Sequence, residues 1–183
     1  MSVSSWLTSN RWRRWRLRAL HIVRPLPVAP RPFPDEALGS WIGRLASRYR
    51  ITVHQLDSSF GLGLDLTGPL SWLLPGSISD VTRSRLGSMT RVPIVQIARL
   101  ALEAIDEAPR TASYCCRCVF LNPLEVESPY WKRDWLSPSA IECVIHRLRL
   151  SALPAWRVRQ CQNMSKLIPT VGKVERERRH RAI

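Results

Sequence analysis

Between residues 35 and 107 apolar side chains recur at helical spacing, interrupted by polar turns. Leu38, Trp41, Ile42, Leu45 and Tyr49 share one face and predict a first helix. Asp35 and Glu36 stand at its start, where the helix dipole favours acids. Gly39 and Gly43 lie four apart on one face. Each costs about 1 kcal/mol relative to Ala in a helix, and their use is to permit close approach of another helix. Thr52 and Gln55 form a T-x-x-Q capping box, so a second, shorter helix starts there with Val53, Leu56 and Phe60 inward. Residues 61–78 mix glycine, proline and apolar residues without a period, and predict a loop with Trp72 and Leu73 packed beneath it.

Ser79 is the N-cap of a third helix carrying Val81, Leu86 and Met89. Thr90-Arg91-Val92-Pro93 is a turn with Pro93 at the first position of a fourth helix. Ile94, Ile97, Ala98, Ala101 and Ile105 continue that helix to about Glu107. Helix, short turn, helix is the outline of a helix-turn-helix. Its second member offers Gln96, Arg99 and Glu103 to solvent, and a single arginine fits packing or protein contact as well as groove reading.

Beyond residue 110 the period changes. Trp131, Trp135, Leu136 and Ile141, punctuated by Pro123, Pro129 and Pro138, predict short strands and turns. After Trp156 the apolar period is lost, and the chain ends in a basic stretch read as a frayed tail. Before residue 35, PLPVAPRPFP reads as an extended linker. Residues 1–24 place Trp12, Trp15, Ala19 and Ile22 on one side of a helical pattern and Arg11, Arg14 and Arg18 on another. Arginines interrupt any apolar signal core there, and no small-residue cleavage site follows. The pattern fits anionic lipid, nucleic acid or a start codon set too far upstream.

Charge sharpens this division. Residues 1–34 hold seven Arg and no acid, 35–146 hold 11 Lys and Arg against 12 acids, and 147–183 hold 10 against 2. A neutral middle thus lies between two strongly basic ends. Such ends bind polyanions through counterion release, which makes nucleic acid the leading partner class, with a solubilising role as the alternative. If the contacts lie on the middle instead, Arg91, Arg99, Lys132 and Arg133 are the residues to carry them. At 45% hydrophobic and 23% charged the chain is globular in composition. It has no apolar run long enough to span a bilayer. Five cysteines suit a reducing cytoplasm better than a disulfide scaffold.

The chemistry concentrates in Cys115-x2-Cys118 and Cys143-x2-His146, separated by 24 residues. Two such pairs complete a tetrahedral Cys3His shell for one structural zinc ion, with no position left open for catalysis. The competing readings are ordinary core residues and a redox CxxC, and the latter expects a βαβ context that is absent. Cys116 then points away from the metal, and Cys161 is unpaired. His21 and His180 lie in basic ends and His54 in a short helix, while no phosphate loop, dinucleotide fingerprint, HExxH or GxSxG occurs. The expectation is a protein that is not an enzyme.

Residues Pro34 to Ala46, PDEALGSWIGRLA, resemble the opening motif P-x-E-x-L-x-S-W-x-x-R-L-A of the TniQ family. Tyr114-Cys115-x2-Cys118, Pro129-Tyr130-Trp131-Lys132-x2-Trp135 and Cys143-x2-His146-x3-Leu150 resemble that family's zinc ribbon. The resemblance covers about residues 31–150. It implies a mainly α fold, with a helix-turn-helix-like region (35–110) followed by a small Cys3His zinc-ribbon β module (111–150). Flanking these are the basic, Pro-rich extension (1–34) and the basic C-terminal tail (151–183). It also implies a bacterial, cytoplasmic and nucleoid-associated accessory of DNA transposition, with no catalytic role. Its partners would be target DNA, the transposon's AAA+ ATPase and transposase, and in some members an RNA-guided target-recognition complex. The chain departs from the pattern at Cys116, where proline is usual, and at Cys161, where a second zinc knuckle would begin. A short functional adaptor, a truncated remnant and a sequence-specific DNA-binding regulator all stay open at this stage.

Overall fold

The computed structural model describes residues 24–102, 109–120 and 129–181. Its hub is helix α1 (Leu38–Arg48), whose Trp41, Ile42, Leu45 and Ala46 are fully buried. Around α1 pack α2 (Val53–Phe60), a 3-10 turn at Ser71–Leu73, and the C-terminal helix α7 (Met164–Arg181). The two glycines of α1 explain how these elements come so close. A Cβ on Gly39 would lie 2.3 Å from the carbonyl oxygens of Trp72 and Leu73, and one on Gly43 would lie 2.6 Å from the Trp72 ring and 3.0 Å from Met164. The expected close approach is therefore real, and its partners are the 3-10 turn and α7. Trp72 and Leu73 are buried under the 61–78 loop, and the Trp72 indole donates to the Cys161 carbonyl.

The capping box at α2 forms as the sequence predicts, with both Thr52–Gln55 bonds at 2.9 Å. Gly61 closes the helix in the left-handed conformation. Helices α3 (Asp80–Thr90) and α4 (Ile94–Leu100) give the helix-turn-helix outline, with Ser79 accepting from the Thr82 N–H (3.1 Å). Two details differ from the sequence reading. Pro93 is the N-cap, since its ψ of 136° is extended, and α4 ends at Leu100, well short of Glu107. Glu103 and Ile105 lie outside the described residues. Val81 and Ile94 face solvent, at 59% and 50% exposure.

Residues 25–34 are not a free linker. Prolines remove donors but leave carbonyls, and this row of acceptors docks on α1. Trp41 donates to the Pro30 carbonyl (2.8 Å), Arg44 to Arg31 (2.6 Å) and the Tyr49 hydroxyl to Val28 (2.7 Å). The Leu26 N–H reaches the Met89 carbonyl of α3 (2.8 Å).

The C-terminal stretch is also not frayed. Strand β1 (Thr111–Tyr114) pairs antiparallel with β2 (Ser151–Pro154), from Thr111↔Pro154 to Tyr114↔Ser151. Helix α5 (Cys116–Phe120) follows β1; α6 (Ala155–Gln160) and α7 follow β2. Met164, Leu167, Val171 and Val174 bury one side of α7. These positions do keep a helical period, but cations surround them and Pro169, ordinarily a helix breaker, sits among them. Pro169 lies on the exposed side, so its ring meets solvent.

Candidate metal centre

The two knuckles are presented by different local structures. Cys115 directly follows β1, and Cys118 sits on α5, where the Val119 N–H bonds back to the Cys115 carbonyl (3.1 Å). Cys143 and His146 occupy a turn inside a short antiparallel hairpin. Its bonds run from Cys143 N–H to the Leu148 carbonyl (2.8 Å), from Arg147 N–H to Cys143 (2.8 Å) and from Leu150 N–H to Ile141 (2.8 Å). Arg147 adopts φ 51° to close that turn, a left-handed conformation that costs a non-glycine residue roughly 1 kcal/mol.

The four side chains converge. All four ligand atoms lie within 4.8 Å of one another. His146 Nδ1 is 3.5, 3.2 and 3.8 Å from the sulfurs of Cys115, Cys118 and Cys143, and the Cys118 and Cys143 sulfurs are 3.6 Å apart. A tetrahedral zinc with Zn–S near 2.3 Å and Zn–N near 2.0 Å has ligand–ligand edges of about 3.5 to 3.8 Å. The donor set and its spacing therefore fit one divalent ion held by Cys115, Cys118, Cys143 and the Nδ1 of His146. Burial raises the thiols of Cys115 and Cys118 above their ordinary value, and the neighbouring Cys143 thiol adds to it. Burial raises Cys143 too, but N–H bonds from His146 and Ile145 outweigh it and bring this thiol below its ordinary value. Three sulfurs crowded at one point resist ionising together, and a bound dication removes that resistance. Cys116 lies outside the group and packs against the core; Cys161 is buried with its sulfur 3.3 Å from the Thr170 hydroxyl.

The spacer between the knuckles ties the centre to the N-terminal helix. Trp131 is fully buried, its indole donates to the Ser113 carbonyl (2.8 Å), and its ring meets Tyr114 and Trp135. Backbone bonds join Ala37 N–H to Trp131 (2.8 Å) and Arg133 N–H to Asp35 (2.8 Å), so the two sequence blocks pair edge to edge. The acids at the head of α1 serve this junction, and neither lies in the first helical turn. Asp35 accepts from Tyr130 (2.8 Å) and Lys132. Burial raises its carboxyl, and those two donors overcome it, so it sits below its ordinary value. Glu36 is fully buried and accepts from Ser40 (2.8 Å) and twice from Arg44 (2.9 Å each). Burial raises its carboxyl above the ordinary value despite Arg44. Ser40 also accepts from the Trp131 N–H (2.8 Å). Glu36, Ser40 and Arg44 recur every four residues, and that polar spacing beside an apolar face is the signal that points to a buried network.

The same two blocks are what a family profile sees. The TniQ profile matches residues 27–150. The chain belongs to the TniQ family. No curated protein and no solved structure matches it. TniQ membership implies a role in selecting the target of transposition, in a family that is generally non-catalytic. Within this TniQ protein the four basic residues read from the sequence as DNA contacts differ in how far their side chains are already engaged. Arg91 caps α3 and Arg99 lies on α4, both exposed. The Arg133 guanidinium bonds the Arg99 carbonyl and stands 3.5 Å from Asp134. Lys132 is held by Asp35 with its side chain 15% exposed. Ile141, expected within the ribbon's apolar spacer, is 70% exposed and flanks the equally open Val144 and Ile145. Among the described residues no helix is long and apolar enough to cross a membrane.

Proposed function

We propose that this TniQ protein is a non-catalytic, DNA-associated adaptor. It links target DNA, or a complex that has already found the target, to the transposon's AAA+ ATPase and through it to the transposase. The observation that carries this reading is the family match across residues 27–150, whose motif blocks meet at the Asp35–Lys132 junction. The closed Cys3His shell supports a structural zinc that fixes the ribbon against α1. Exposed Ile94 and Val95 on α4, with Val144 and Ile145 beside His146, favour protein contact over groove reading. Arg91 and Arg99 are the groups of the predicted DNA set whose heads are left available; Lys132 is committed to Asp35.

The test is co-purification of the full chain with a transposon AAA+ ATPase, with and without ATP and duplex DNA. An adaptor gives a nucleotide-dependent complex and weak DNA binding alone. A defined footprint by the chain alone, with no ATPase complex, supports a sequence-specific regulator and overturns the proposal.

A further inference from the structure

We propose that the solvent face of α7 is a surface for the phosphate backbone of duplex DNA. This rests on the reading of the chain as DNA-associated, and it names where the duplex is held. Helix α7 divides its residues sharply. Met164, Leu167, Val171 and Val174 are buried, whereas Lys166, Lys173, Arg176 and His180 are exposed at intervals of seven, three and four, which aligns them along one stripe. The two acids of the helix are already neutralised. Glu175 accepts from Tyr114 (2.5 Å) and Arg178 (2.9 Å), and Glu177 pairs with Arg157 of α6 (3.0 Å). Among the described residues Lys166, Lys173, Arg176, Arg179 and Arg181 have no ion-pair partner.

A helix rises about 1.5 Å per residue, so the stripe from Lys166 to His180 extends about 21 Å, roughly six base pairs of duplex. Cations held on one rigid line lose little freedom when they meet a line of phosphates. The stripe is anchored at both ends. Ser165 N–H bonds the Ser47 hydroxyl at the end of α1 (3.0 Å), and Arg178 bonds the Ala152 carbonyl of β2. A helix that lies in an anionic membrane draws on an inserted apolar face as well as on its charge. None of the exposed large apolar side chains belongs to α7, which leaves duplex DNA as the occupant this chemistry fits.

The full chain and its Lys166→Gln/Lys173→Gln/Arg176→Gln variant are titrated on one random-sequence duplex across about 50 to 200 mM salt, where each phosphate contact adds about −0.9 to the log–log slope. The variant is expected to weaken binding alike on unrelated sequences and to flatten the slope by about 2 to 3. In the unaltered chain, chemical acetylation of Lys166 and Lys173 is expected to be blocked by the duplex, with Lys132 unchanged. This second measurement stands even if the variant folds poorly. An unchanged slope and unprotected lysines, with binding lost instead in Arg91→Gln/Arg99→Gln, overturn the α7 surface while DNA association survives. Absence of duplex binding by the full chain overturns the α7 surface, while the adaptor reading then stands or falls on the ATPase complex alone. Tighter, Lys173-dependent binding to phosphatidylglycerol vesicles than to duplex overturns DNA as the occupant.

Discussion

Glu36 and Arg44 show how far a single pair of residues shapes this fold. Both are buried at the meeting of α1, the proline-rich segment and the metal-binding half, and Arg44 also lies 4.5 Å over the Phe33 ring, which itself stacks on Tyr130. Taking two charges out of water costs as much as their attraction returns, so such a pair defines geometry more than it adds stability. Removing one partner is different, because it strands a buried charge. Arg44→Met is expected to cost about 3 to 5 kcal/mol in urea unfolding, and adding Glu36→Leu is expected to restore much of that loss. Purely additive losses in the double variant would show that the two residues act independently.

At the scale of elements, the hairpin around Cys143 buries little of its own apolar surface, with Ile141, Val144 and Ile145 all exposed, and a structural zinc can supply roughly 10 to 16 kcal/mol of apparent binding free energy. Purified protein is expected to hold close to one zinc ion per chain. Cys143→Ser should abolish that binding and loosen the ribbon, whereas Cys161→Ser should leave the metal in place, because Cys161 lies among Thr170 and α7. Full zinc retention in Cys143→Ser, read by elemental analysis, would refute the assignment. These ligands were legible because two-residue spacing turns both side chains of a pair toward one ion, and two such pairs supply the four ligands that a closed shell needs. The Thr52–Gln55 box and the Gly39 and Gly43 approach were legible for a similar local reason. Helix α7 was not, because its apolar positions are outnumbered by cations and cross Pro169, so the tertiary contact with α1 at Gly43 is what identifies its inner face. Nor was the role of Glu36, since a carboxylate at a helix start has an ordinary explanation that needs no partner eight residues on.

For the whole molecule, the sequence boundary near residue 150 is where composition changes, but packing continues across it. β2 is the only strand paired with β1 among the described residues, and α7 covers α1. A chain ending at residue 150 is therefore expected to lose its cooperative thermal transition, metal or no metal. An unaltered melting curve for that shortened chain would show that the fold does not depend on β2 and α7. The strand register carries one more consequence, for the order of folding. Thr111 and Pro154 must find each other across roughly forty residues, and closing such a loop has an entropy cost that grows with the logarithm of its length. A metal that has already joined Cys115 to His146 shortens the unconstrained path to roughly a dozen residues, which lowers that cost by about 1 kcal/mol. Metal capture ahead of strand pairing is thus the route with the smaller closure cost for the strands. Both knuckles precede β2 and α7 along the chain, so a metal bound early leaves β2 a partner strand that is already close at hand.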